Sequence, residues 1–166
     1  MEKKLSYAKN IILILVIGLL LLSSCARKIG GSYILSLKEI KGHEVDTIDI
    51  TFYNPKERID STSVSLSSKQ EKDLAFIQTF KDILKESAAV SDEEELNFSP
   101  PAESSHRIVV TFDNDFELEF YYSNDNNWLI WSNTQEREGD KILQYYFLSP
   151  PSSIEDWLSS IKSKAA

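Results

Sequence analysis

Three strand-like segments joined by loops of turn-forming residues constrain this chain more than any other feature. Arg107-Ile-Val-Val-Thr-Phe112, Phe116-Glu-Leu-Glu-Phe-Tyr-Tyr122 and Trp128-Leu-Ile-Trp131 are rich in β-branched and aromatic residues over strand-like lengths. Between them stand Asp113-Asn-Asp115 and Ser123-Asn-Asp-Asn-Asn127, the residue types that hairpin turns demand. Setting Phe112 opposite Phe116 puts Val110 against Leu118 and Ile108 against Phe120. Setting Tyr122 opposite Trp128 then puts Phe120 against Ile130. This register assigns Ile108, Val110, Phe112, Phe116, Leu118, Phe120, Trp128 and Ile130 to a buried face. The outer face receives Arg107, Val109, Thr111, Glu117, Glu119, Tyr121, Leu129 and Trp131. A slip of one residue in a loop would exchange the faces, because side chains alternate with period two.

The other elements fit around this unit. Tyr33-Ile-Leu-Ser-Leu37 and Thr47-Ile-Asp-Ile-Thr-Phe-Tyr53 read as strands, the second with Ile48, Ile50 and Phe52 on one face. Residues 61–66 suggest a short edge strand. Ser68-Lys-Gln-Glu71 has the spacing of a capping box and predicts a helix over 69–86, with Leu74, Ile77, Phe80 and Leu84 as its apolar stripe, widened by Phe76 and Ile83. Residues 88–105 read as a loop. A strand over 142–148 is stopped by Ser149-Pro150-Pro151. Ser153 is expected to cap a last helix that buries Ile154, Trp157, Leu158 and Ile161. Runs of hairpin strands separated by helices predict an α+β domain, an antiparallel sheet of five to six strands with two helices packed on one face.

The first 25 residues are of another kind. Lys3, Lys4 and Lys9 precede an apolar run from Ile11 to Leu22, and Ser23-Ser24-Cys25 follows. A basic start, a short apolar stretch and small residues behind it predict a secretory signal peptide. Twelve helical residues span about 18 Å, too little for a hydrocarbon core of about 30 Å. Behind this segment, 25–32 is expected to form a flexible tether through Gly30-Gly31, and 33–166 to fold as one globular domain. Removing 1–24, with three lysines and one glutamate, leaves 142 residues and takes the formal charge from −8 to −10. That charge argues against nucleic acid as a partner, since phosphates require a basic face. It also predicts repulsion from anionic lipid, with Arg27 and Lys28 as a local exception.

Chemistry-bearing residues are sparse. His43 lies in a Gly-His-Glu turn and His106 just before a strand; neither has a second ligand at metal spacing, so no metal site or cofactor is implied. The acidic run Asp92-Glu-Glu-Glu95 lacks the alternating spacing and central glycine of a calcium loop. There is no nucleophile elbow, glycine-rich phosphate loop or zinc-protease helix motif. Glu117 and Glu119 alternate on one strand, roughly 7 Å apart, and offer the one paired-carboxylate reading. Arg107, Glu119, Tyr121, Leu129 and Trp131 together make the candidate binding face, an aromatic patch with a polar rim. Cover by the N-terminal strand or by the 88–105 loop is the alternative.

Leu22-Ser23-Ser24-Cys25 resembles the lipobox of bacterial lipoproteins. The resemblance implies cleavage between Ser24 and Cys25 and a diacylglyceryl thioether on Cys25, anchoring the domain to the cell membrane outside the cytoplasm. Two acyl chains anchor stably where one does not. In organisation, the mature region resembles small Gram-positive lipoprotein domains of the YhfM-like kind. The features that carry this are the 74–84 helix, the hairpin 107–122, the Trp-Leu-Ile-Trp strand and the Ile-Glu-Asp-Trp-Leu ending. That family implies no catalytic residues. The leading expectation is a membrane-anchored, non-catalytic domain that binds an envelope protein or ligand. An inhibitor or immunity protein with an acidic surface is the second reading, and an envelope hydrolase using Glu117 and Glu119 the third.

Overall fold

The computed structural model describes residues 29–53, 62–90, 104–137 and 140–165. The signal segment, Ser24, Cys25 and the acidic run at 92–95 lie outside the described residues. Along the chain come α1 (Gly31–Ile34), β1 (Val45–Phe52), β2 (Thr62–Ser67), α2 (Glu71–Glu86), β3 (Ala88–Ala89), β4 (His106–Phe112), β5 (Glu117–Ser123), β6 (Trp128–Arg137), β7 (Asp140–Ser149) and α3 (Ser153–Ala165). The seven strands form one antiparallel sheet in the order β2-β1-β4-β5-β6-β7-β3. The α+β class is as expected. The sheet is larger, because the 88–89 segment pairs with Ser149 and Leu148 as a short edge strand where the sequence suggested only loop.

One face of the sheet carries the core. Ile48 and Ile50 of β1 lie opposite Val110 and Ile108 of β4, which lie opposite Leu118 and Phe120 of β5. The row continues through Trp131, opposite Phe120, and Leu129, opposite Tyr122 and Leu148. All of these are buried. Ile77, Phe80, Ile83 and Leu84 of α2 close over them, with Ile154, Trp157, Leu158 and Ile161 of α3. Phe80 stacks on Trp157 at 4.9 Å between ring centroids, and the Trp157 indole N–H donates to the Phe76 carbonyl at 2.9 Å. Aromatic rings on adjoining helices thus fix how the two pack.

The stripe of α2 stands as the sequence suggested at Ile77, Phe80, Ile83 and Leu84 and departs from it only in the first turn. Leu74 is exposed and Asp73 takes the inward position. Asp73 is buried, pairs with Lys164 of α3 and accepts from the Ser67 backbone N–H at 3.1 Å. Burial pulls its carboxyl upward, but Lys164 and the Ser67 amide outweigh this and hold it below the usual carboxylate range. The expected capping box does not form. The helix starts at Glu71 after Gln70, with no side-chain cap, and the Ser68 hydroxyl lies 3.3 Å from an Asp46 oxygen instead. Nor does Ser153 stand ahead of α3: it is the first helical residue, and main-chain bonds from Ile154 to Pro151 and Glu155 to Ser152 close the entry.

The chain before β1 is not a strand. Main-chain bonds from Tyr33 and Ile34 to Gly30, and from Leu35 to Gly31, wind 31–34 into a single helical turn. Gly31 and Ser32, expected in the flexible tether, are docked on the end of α2. The Gly31 N–H donates to Ser87 O at 3.0 Å and the Ser32 hydroxyl to Lys85 O at 2.9 Å. A Cβ on Gly31 would lie 1.6 Å from the Leu84 carbonyl oxygen, so only glycine permits this approach.

Candidate functional site

The sheet face turned away from the helices has two halves. Over β1 and β4 it is polar and partly open, with Thr47, Asp49, Thr51, Arg107, Val109 and Thr111. Over β5 to β7 it is aromatic: Tyr121, Ile130 and Phe147 form a second, smaller cluster with Val90, and Trp128 and Tyr145 pack against it. Where the halves meet, Glu119 accepts from three side chains. The Arg107 Nε lies 2.5 Å from its Oε1, the Tyr121 hydroxyl donates to the same oxygen at 3.0 Å, and the Ser132 hydroxyl lies 3.1 Å from Oε2. Burial raises the Glu119 carboxyl, but these donors, Arg107 first, hold it below the ordinary glutamate value. Burial, with Glu119 beside it, pushes the Tyr121 hydroxyl up to about 12, so it remains a donor.

Arg107, Glu119 and Tyr121 therefore converge as expected, whereas Leu129 and Trp131 do not. Both are buried on the helix side, at 0% and 3% exposure, and Trp131 stacks on Tyr146. The reason is the second hairpin loop. Ser123 pairs with Trp128, so the loop is the four residues 124–127, closed by Asn127 at φ 50, and not the five from Ser123. One extra paired residue exchanges the faces of β6. Trp128 and Ile130, expected in the core, stand on the outer face. The aromatic patch there is covered: Ile130 is fully buried, Tyr121 and Phe147 nearly so, with Val90 among its neighbours. The first hairpin keeps its expected register, with Val110 opposite Leu118 and Ile108 opposite Phe120.

The two histidines have different surroundings. His43 Nδ1 sits 2.6 Å from an Asp113 oxygen at the surface. His106 is the first residue of β4, between the Phe52 and Tyr122 rings. Burial, reinforced by the Lys162 charge, pulls its imidazole down to about 4. Among the described residues, no three His, Cys, Asp or Glu side chains converge as a metal site requires.

A candidate that sequence reasoning missed is a half-open pocket of about 270 Å³ on the helix side. Val110, Phe112 and Leu118 of the sheet form its floor, Phe80 and Leu84 of α2 one wall, and Ile40 and Val45 the other. Lys41, Gly42, His43 and Lys81 line its mouth. The outer wall is pinned: the Asp113 N–H donates to Glu44 O at 3.0 Å and the Asn114 side-chain amide to Glu39 O at 2.8 Å. Gly42, at φ +87, turns the chain at the rim. The residues that build this cavity are scattered from position 35 to 118, and each reads in the sequence as ordinary core or surface.

Comparison of the chain with protein-family models, curated proteins and solved structures finds no match.

Proposed function

We propose that this chain is a lipid-anchored domain outside the cytoplasm of a bacterium that binds a ligand or envelope partner without transforming it. The observation that carries the binding reading is the half-open pocket beside 40–45, with Lys41, Gly42, His43 and Lys81 at its rim, pinned on its outer side by the 113–114 turn. Concave apolar sites with a few polar groups at the mouth are what small-molecule binding requires. Anchoring is supported by Leu22-Ser23-Ser24-Cys25. The non-catalytic reading is supported by Glu119, whose oxygens are taken up by Arg107, Tyr121 and Ser132 and whose carboxyl is held ionised. A glycoside hydrolase needs both carboxyls of its pair free to face the sugar, and both Glu119 oxygens are taken up by neighbouring side chains.

The test is made in cells on the full chain. A fatty-acid label is expected on the wild type and lost in Cys25→Ser; equal label in both refutes the anchor. Recovery of a stoichiometric complex that dissociates steeply with salt would move the reading to an inhibitor with an acidic surface. Turnover of wall glycans that disappears in Glu119→Gln would move it to an envelope hydrolase.

A further inference from the structure

β2 stands at one end of the sheet, and among the described residues no strand pairs along its outer side. The ladder decides which of its groups face outward. The Ser68 N–H donates to Asp46 O at 2.9 Å, and the β1–β2 register, continued by one residue, sets these two opposite each other. Leu66, Val64 and Thr62, in steps of two, therefore bond to β1. The bond from the Tyr53 N–H to Ser105 O agrees, since it turns the alternate residues of β1 towards β4. Ser63, Ser65 and Ser67 thus point their N–H and C=O groups away from β1. Ser67 is engaged already, because its N–H donates to Asp73 Oδ2 at 3.1 Å. Ser63 and Ser65 remain. The usual guards of an edge are missing here: Thr62–Ser67 holds no lysine, no proline and no charge.

We propose that β2 pairs with β2 of a second copy of this chain, antiparallel about a two-fold axis at Val64, so that the two sheets run on as one. The groups left over fix the register. Setting Ser63 opposite Ser65 of the second copy lets each such pair exchange N–H and C=O bonds. An axis at Ser65 would bring Ser63 against Ser67, whose N–H Asp73 already holds, and an axis at Ser63 would run past the end of the strand. The same register sets Val64 against Val64 and Thr62 against Leu66 on the helix side. Leu66 is fully buried there and Val64 packs partly on the core, so the apolar row through Ile50 and Val64 continues into the second copy. A two-fold dimer requires a patch complementary to itself, and this edge meets that requirement. The pairing goes beyond the binding-domain reading and does not rest on it.

Val64→Cys tests the register, because residue 64 alone meets itself. Its two Cα atoms would stand about 4.5 Å apart, within disulfide reach, whereas Thr62 would lie about 14 Å from its own counterpart. The full chain is oxidised in detergent micelles, and linked peptides are identified by mass, which separates them from any linkage through Cys25. Val64→Cys is expected to link to itself at least fivefold more than Thr62→Cys. Chance collision predicts the reverse, since Thr62 is exposed and Val64 half-buried. Adding Ser65→Pro, which removes an outward N–H and leaves the β1 ladder intact, should abolish the linkage. Hydrogen exchange of the unaltered chain supplies a reading that needs no variant. The Ser63 and Ser65 amides should exchange early in the dilute chain and slow at least tenfold as its concentration rises. Equal linkage at 62 and 64, linkage that survives Ser65→Pro, or exchange indifferent to concentration overturns the pairing. Slow exchange already in the dilute chain overturns it too, and assigns the edge to another segment of the same chain.

Discussion

His106 shows how one half-buried side chain sets a pH dependence. Its Nδ1 lies 2.8 Å from the Ser105 hydroxyl, which is 2.7 Å from Asn124 Oδ1 and 3.0 Å from Tyr122 O. The hydroxyl has one proton to give to those oxygens and is left to accept from the imidazole Nδ1–H. In the folded chain the ring is pulled from 6.5 down to about 4, so between these values the unfolded state holds a proton that the native state does not. Stability is therefore full above pH 6.5 and falls as pH drops towards 4, by about 2–3 kcal/mol. Urea unfolding at pH 7 and pH 4.5 should show this loss, and His106→Phe should remove most of it; an undiminished slope in the variant assigns the effect elsewhere. Glu119 and Asp73 act lower on the scale. Their depressed carboxyls contribute above the usual carboxylate range and lose that contribution as pH falls through their folded values. At this scale the sequence was partly legible. Every buried residue of α3 stands where its helical spacing places it, but Asp73 was invisible because its partner, Lys164, comes from an element 91 positions away.

Elements were legible where alternation distinguishes two faces and illegible where it does not. In β4, isoleucine, valine and phenylalanine alternate with arginine, valine and threonine, and the observed pairing with β5 follows. Trp128-Leu-Ile-Trp131 is apolar at all four positions and so carries no parity of its own. Its facing depended on the loop, and five consecutive turn-formers do not mark which one begins the turn. The single helical turn of α1 could not be read either, because what shapes it is contact with α2. That contact gives a paired prediction. Gly31→Ala forces a Cβ to 1.6 Å from a main-chain oxygen and should destabilise the fold by about 2–3 kcal/mol. Gly30→Ala, whose Cβ would stand 3.5 Å from the Ser87 oxygen at φ −96, should stay within about 0.5 kcal/mol of the wild type. Thermal unfolding of the two variants side by side measures the difference. Equal midpoints would mean that α1 does not dock in solution.

Across the whole molecule, sheet order follows from pairing that no local pattern encodes. β1 and β4 lie side by side although β2, α2 and β3 separate them in the chain, and this pairing builds the centre of the core. Hydrogen exchange should register it. Amides of β1, β4 and β5 should exchange slowest, while those of β2, on the open edge, and β3, two residues long, should exchange early. Protection of β2 equal to that of β4 would indicate that another strand covers this edge. Gly31 also governs posture. On the reading that Cys25 carries the lipid, only five residues separate the anchor from Gly31, where the chain is gripped by α2, a leash of at most about 20 Å. A folded body of this size is about 30 Å across, wider than its leash is long. Such a domain would not roam above the bilayer. It would pivot about the carboxyl end of α2, keeping near the headgroups the side on which Leu84 and Leu35 border the cavity.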